Sequence, residues 1–153
     1  MTSDLRKAMG TALKDAVLPV LRARGFKGSL PHLRRPTPEA IELLTFQFDK
    51  WGGGFIVEIA RCAVSGFTTH WGEHIPPGKV SAWDMHPRQR HRIQAKEGSG
   101  TAVWFRFDQG QVALAAQEFL SAMPEAESWW LRQAQQGAPA DSPPRVSPAA
   151  SSR

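Results

Sequence analysis

The chain has 153 residues, 41% of them hydrophobic and 22% charged, which is enough for one domain with its own core and too few for two. A net charge of +5 attracts acidic partners or polyanions only mildly, and the single cysteine, Cys62, excludes an intrachain disulfide. No apolar run approaches the roughly 20 residues of a membrane span, and the first residues carry no signal-peptide core. The expected setting is therefore the cytoplasm, with no membrane contact.

Leu5, Met9, Ala12, Leu13, Ala16, Val17, Val20 and Leu21 recur at three and four residues, which predicts an amphipathic helix from Ser3 to Arg24. Pro19 should bend that helix or restart it, and Gly25 supplies a left-handed stop onto which Phe26 folds back. Three strands are expected next: Phe26 to Arg35 at an edge because of Pro31, Ala40 to Phe48 in a central position, and Phe55 to Ala63 after the Gly52-Gly53-Gly54 turn. Val64 to His86 shows no periodicity and reads as a long loop, a length that usually marks function or mobility.

His86 to Lys96 then carries Arg88, Arg90 and Arg92 in alternation, so an extended strand sends all three to one face, with Arg90 mid-row. A Glu97-Gly98-Ser99-Gly100 turn leads to a strand in which Val103, Phe105 and Phe107 alternate with Trp104 and Arg106, and the two strands are expected to form a hairpin. Asp108 with Gln111 resembles a capping box opening a second helix, and Pro124 suits the first turn of a short third helix carrying Trp129 and Trp130. From Gly137 the composition falls to Pro, Ala and Ser, which predicts a disordered tail over 137–153 behind a single domain over 1–136. The expected fold class is α+β: one antiparallel sheet of about five strands packed against N-terminal and C-terminal helices.

Several of these pieces occur in one order: Leu18-Pro19-Val20-Leu21 before Arg24-Gly25-Phe26-Lys27, then Phe46-Gln47-Phe48, Arg90-His91-Arg92-Ile93, Trp104, and the helix after Asp108. In that order the chain resembles the bacterial domain of unknown function 4304 family. The resemblance spans roughly residues 4 to 132, about the size of one domain. It implies a compact bacterial α+β domain with no established activity, so no catalytic residues carry over. The Pro/Ala/Ser segment departs from it as an addition.

His70, Glu73 and His74 are the metal candidates, but Gly72 and the Pro76-Pro77 pair argue against the helix that would align them, and surface histidines explain them better. Cys62 beside Arg61 reads as a small buried hydrophobe and not as a nucleophile. Glu42 and Glu58 lie in neighbouring strands, with Arg61 and Arg106 as their expected partners. The best candidate surface is Arg88, Arg90 and Arg92 with Trp83, Trp104 and Arg106. Three guanidiniums beside aromatic rings suit an acidic protein surface, and phosphates with stacked bases after that. The bland alternative is a basic edge that blocks strand-to-strand association.

The sequence reading is thus a non-catalytic cytosolic binding module without cofactor, accessory or immunity-like, with an acidic protein partner ahead of nucleic acid. A single-stranded nucleic-acid binder is the alternative, and a small metal-dependent hydrolase the second alternative.

Overall fold

The computed structural model describes residues 2–95 and 104–144. The N-terminal apolar stripe forms α1 (Thr2–Ala12), a widened π turn (Leu13–Val17) and α2 (Leu18–Ala23). Across the wide turn the Leu18 N–H bonds to the Leu13 carbonyl, five residues back. The hydrogen-bond register is thereby reset just before Pro19, which stands in the first turn of α2, where a missing N–H costs nothing. Gly25 ends α2 at φ +98°. Its N–H reaches the Arg22 carbonyl and that of Phe26 reaches the Leu21 carbonyl, both at 3.0 Å, the double bond of a glycine-stopped helix.

The strands β1 (Lys27–Ser29), β2 (His32–Pro36), β3 (Ile41–Phe48) and β4 (Gly54–Cys62) follow one another as an antiparallel meander. Every residue of β4 is buried, because both faces of the sheet are covered there. Leu44 and Phe46 of β3 and Phe55, Val57 and Ile59 of β4 face the helices, where Leu13, Val17 and Leu21 join Phe119, Met123 and Trp130 in the main core. The opposite face carries Leu43, Ala60 and Cys62.

That second face explains the long connection. Residues 64–86 contain a small ribbon, β5 (Phe67–Thr68) with β6 (His74–Ile75), and lay Phe67, Val80, Ala82 and Met85 onto Leu43, Ala60 and Cys62. The segment that lacks periodicity in sequence is the lid of a second, smaller core. Its apolar residues are spaced by the sheet beneath and not by a helix or strand of their own.

Among the described residues the expected hairpin of basic and aromatic strands does not form. β7 (Arg90–Ile93) pairs with β4 from Ala60 to Val57, and β8 (Phe105–Arg106) pairs with β4 at Phe55 and Gly54. They lie end to end along one edge of β4, as an interrupted edge strand. The physical reason is that Ile93 and Phe105 both belong to the core facing the helices, beside Val57 and Phe55, so each seeks β4 rather than the other. The Glu97–Gly100 turn and Val103 fall outside the described residues.

The two expected C-terminal helices are one, α3 (Val112–Gln135), with Pro124 inside it. Pro124 is exposed and forfeits one hydrogen bond, whereas Met123, Ala126 and Trp130 continue the buried stripe and hold the helix to the sheet. Trp130 also donates its indole N–H to the Ala60 carbonyl at 2.9 Å. Gln111 precedes α3 without a side-chain cap, and its amide oxygen instead accepts the Gln109 N–H. Beyond α3 the carbonyls of Gly137, Asp141 and Ser142 accept hydrogen bonds from Arg61 Nη1 (2.7 Å), the Thr68 N–H (2.8 Å) and Gln89 Nε2 (3.4 Å). Residues 145–153, the rest of the Pro/Ala/Ser-rich segment, lie outside the described residues. No helix among the described residues is long and apolar enough to cross a membrane. The architecture is α+β, an antiparallel sheet with helices on one face.

Candidate binding surface

Glu58 is an acid in the middle of a fully buried strand whose one other charged residue, Arg61, lies on the opposite face, and such a group needs compensation. The register supplies it. Arg92 stands directly opposite Glu58 on β7, and Arg90 stands one pair along, opposite Ala60, so both arginines share the carboxylate's face. Arg90 Nη1 lies 2.9 Å from Oε1, and Arg92 Nε and Nη2 lie 3.2 and 3.0 Å from Oε2. One carboxylate, its side chain 8% exposed, therefore holds two guanidiniums.

The two arginines differ in what they have left. Arg90 spends its other nitrogens on the loop: Nε donates to the Met85 carbonyl at 2.8 Å and Nη2 to the Trp83 carbonyl at 3.0 Å. Its side chain is 24% exposed, against 43% for Arg92. Arg90, expected from the sequence as the middle of a binding row, is a clip that fastens the loop to the sheet. Two more side chains do the same work. Arg34 donates to the Val80 carbonyl through Nε (3.0 Å) and Nη2 (2.8 Å), and buried Thr45 accepts the Ala82 N–H at 3.3 Å. Thr45 also shares its hydroxyl with His32 Nδ1 at 3.1 Å. Burial, then the nearby Arg34, pushes the His32 pKa down, so the ring favours its neutral form. The exposed Trp83 ring meets His32 edge-on at 5.1 Å.

Arg106 falls on the same sheet face through its pairing with Gly54, is exposed, and has Asp49 at 3.9 Å. Trp104 is half-buried over Gly54, where a Cβ would come within 3.1 Å of the Trp104 Cβ. Arg90, Arg92, Arg106 and Trp104 thus occupy one edge of one face, whereas Trp83 meets Arg90 only through its carbonyl and sets its ring against His32 of β2. Arg88 does not join them. His86 caps a 3-10 turn (Pro87–Gln89), its Nδ1 accepting the Arg88 N–H at 3.1 Å, so the alternation begins only at Arg90. Pro87 suits such a turn and lacks the N–H a strand would use.

The remaining candidates separate. Glu42 and Glu58 lie on opposite faces, and neither meets its expected arginine: Glu42 binds Arg35 Nε, which also reaches Glu127 through Nη1 and Nη2. His74 shares Nδ1 with the Thr68 hydroxyl (3.0 Å) and Nε2 with the Ser65 carbonyl (2.9 Å). Glu73 accepts the Trp71 indole N–H, and His70 stands edge-on to Trp71. Among the described residues no three His, Cys, Asp or Glu side chains are grouped to hold a metal ion. Cys62 is buried, which pushes its thiol up to about 12 and keeps it protonated. His91 faces the helices, 2.7 Å from Glu125 and stacked on Trp129.

Sequence reasoning missed Glu58 as the organiser of this surface. The available signal was an isolated acid at the centre of the most apolar strand, with two alternating arginines elsewhere to answer it. In comparisons with known proteins, the sequence model of a family described as a domain of unknown function, DUF4304, matches residues 17–133. No curated protein and no solved structure matches the chain significantly.

Proposed function

The chain belongs to the DUF4304 family, and we propose that it is a non-catalytic binding module of the cytosol that docks an acidic protein through the outer edge of its sheet. The clamp of Arg90 and Arg92 on Glu58 carries this reading. It holds the Arg92 guanidinium in a set orientation while leaving its Nη1 outside the clamp, so little side-chain entropy is lost on docking. Arg106 lies on the same face as a further exposed cation, and the exposed Trp83 ring stands farther across that face, against His32 of β2; both residue types are enriched where proteins meet. An accessory or immunity-like role suits such a module.

Charge favours a protein over a polyanion. Arg90, Arg92 and Arg106 face the carboxylates of Glu58 and Asp49, so three positive charges meet two negative ones. A strand-tracking nucleic-acid site neutralises on the order of 6–10 phosphates and needs uncompensated cations to do so. The test is a titration of wild type, Arg92→Ala and Arg106→Ala against single-stranded DNA and RNA over a salt series. The expected result is weak binding that disappears near physiological salt. Sub-micromolar binding there, with a log–log salt slope made shallower by roughly one per arginine removed, would transfer the surface to nucleic acid.

A further inference from the structure

A second cationic site lies around the corner of the same edge. A cleft of about 330 Å³ opens between the start of β7, the last turn of α3 and the segment 137–140. Arg61, Arg88, Arg90, Gln133 and Trp129 line it, and among the described residues no acidic one does.

Arg61 is the unusual member. It is 8% exposed, yet among the described residues no carboxylate lies within 4.0 Å of it. Its Nη1 donates instead to the carbonyls of Gly137 (2.7 Å) and Gln133 (3.4 Å) at the end of α3. Those acceptors, at the negative end of the helix, satisfy hydrogen bonds and offset part of the charge without cancelling it. Buried arginines are otherwise paired with acids. Arg88, turned out of the strand by the 3-10 turn, likewise has no carboxylate within 4.0 Å among the described residues, and it is exposed. Arg90 contributes little free charge because Glu58 holds it. Two guanidiniums without a carboxylate within 4.0 Å among the described residues thus line one cleft, although Glu42 stands opposite Arg61 in the strand register.

The rest of the wall is made of amides, backbone and one ring. Gln89, Gln133 and Gln136 bring neutral hydrogen-bonding groups, and Trp129 is braced from behind by His91, stacked at 5.8 Å and 16°. At about 330 Å³ the volume is at the lower end for small-molecule sites, which suits a single small molecule and not a polymer. Two guanidiniums balance a dianion, and their forked donors match phosphate oxygens.

We propose that this cleft binds a small phosphate monoester, with the phosphate between Arg61 and Arg88 and the organic part against Trp129. The site adjoins the docking surface at Arg90, which borders both, but Arg92 and Arg106 do not line it.

The experiment is calorimetric titration of the full chain with inorganic phosphate, adenosine monophosphate, adenosine and citrate. Arg88→Ala serves as the site variant, because Arg88 is exposed and its side chain takes no part in the core. Arg92→Ala serves as the control for a merely basic surface. We expect saturable 1:1 binding of both phosphate compounds, tighter for the nucleotide, and none of adenosine. Loss of the Arg88 side chain should weaken binding about tenfold or more, as for a charge-assisted hydrogen bond, and loss of Arg92 less than about twofold. Adenosine monophosphate binding no tighter than inorganic phosphate would remove the role of Trp129. Absence of saturable phosphate binding up to about 10 mM, citrate binding as tightly as the phosphates, or equal losses in the two variants would overturn the proposal.

Discussion

Replacing Glu58 with Gln removes the charge at the centre of the edge while keeping its shape. The wild-type carboxylate accepts three hydrogen bonds from two guanidiniums, at 2.9, 3.2 and 3.0 Å. Bonds to charged groups contribute about 1.5–3 kcal/mol each, so a plain sum would exceed about 4 kcal/mol. The sum overstates the loss, because Arg90 and Arg92 are 24% and 43% exposed and recover water when released. Arg90 also keeps the Met85 and Trp83 carbonyls. An amide can accept at its oxygen but turns an NH2 group towards a guanidinium, which adds repulsion within a buried site. The net expectation is a loss of about 2–3 kcal/mol, read as a lower urea midpoint at unchanged slope. Amide exchange should quicken first in residues 83–85, which Arg90 fastens to the sheet. A loss below about 0.5 kcal/mol, the range of ordinary surface changes, would refute the claim that Glu58 organises this edge.

Arg90→Ala should cost about 1–2 kcal/mol more stability than Arg92→Ala in the same denaturation assay, because only Arg90 joins the loop to β7; equal costs would remove the distinction between clip and contact. Cys62 should resist alkylation at pH 8 in the native protein and react once urea unfolds it, and prompt native labelling would contradict its burial. Its raised pKa means that the folded state holds the thiol proton more tightly than the unfolded chain does. That contribution is complete below about pH 9 and is lost as pH rises towards about 12, so wild type should lose more stability over that window than Cys62→Ala. Ending the chain after Gln136 should lower stability by about 1 kcal/mol or more, since Arg61 and Thr68 lose the Gly137 and Asp141 carbonyls, whereas ending it after Pro144 should not; equal melting temperatures for the two truncations would show that 137–144 adds nothing.

Much of the architecture was legible because local chemistry and burial agreed. The Leu13-Val17-Leu21 stripe, the Gly25 stop and the alternation in Ile41–Phe48 each express a period or a turn that the fold then uses. The errors came where tertiary contacts overrode local signals. Pro124 marks a helix start in sequence, but Met123, Ala126 and Trp130 hold one helix through it. Glu97–Gly100 suggests a hairpin turn, but Ile93 and Phe105 are drawn to β4 separately. At the candidate surface, alternation placed Arg90 and Arg92 together correctly and failed at Arg88, where Pro87 favours a turn. No period in a single sequence reveals that Glu58 answers both arginines, because that pairing depends on register between strands more than thirty residues apart.

The most direct test of the docking surface is purification of the tagged full chain from its native cells, beside Arg92→Ala and the double variant Arg92→Ala, Arg106→Ala, at physiological salt. Bound protein and bound nucleic acid are both quantified. The account predicts a discrete acidic protein retained in near-stoichiometric amount by wild type. It should be lost in the double variant, whose melting temperature should stay within a few degrees of wild type. A partner retained equally by all three proteins, or nucleic acid retained in place of protein, would contradict it.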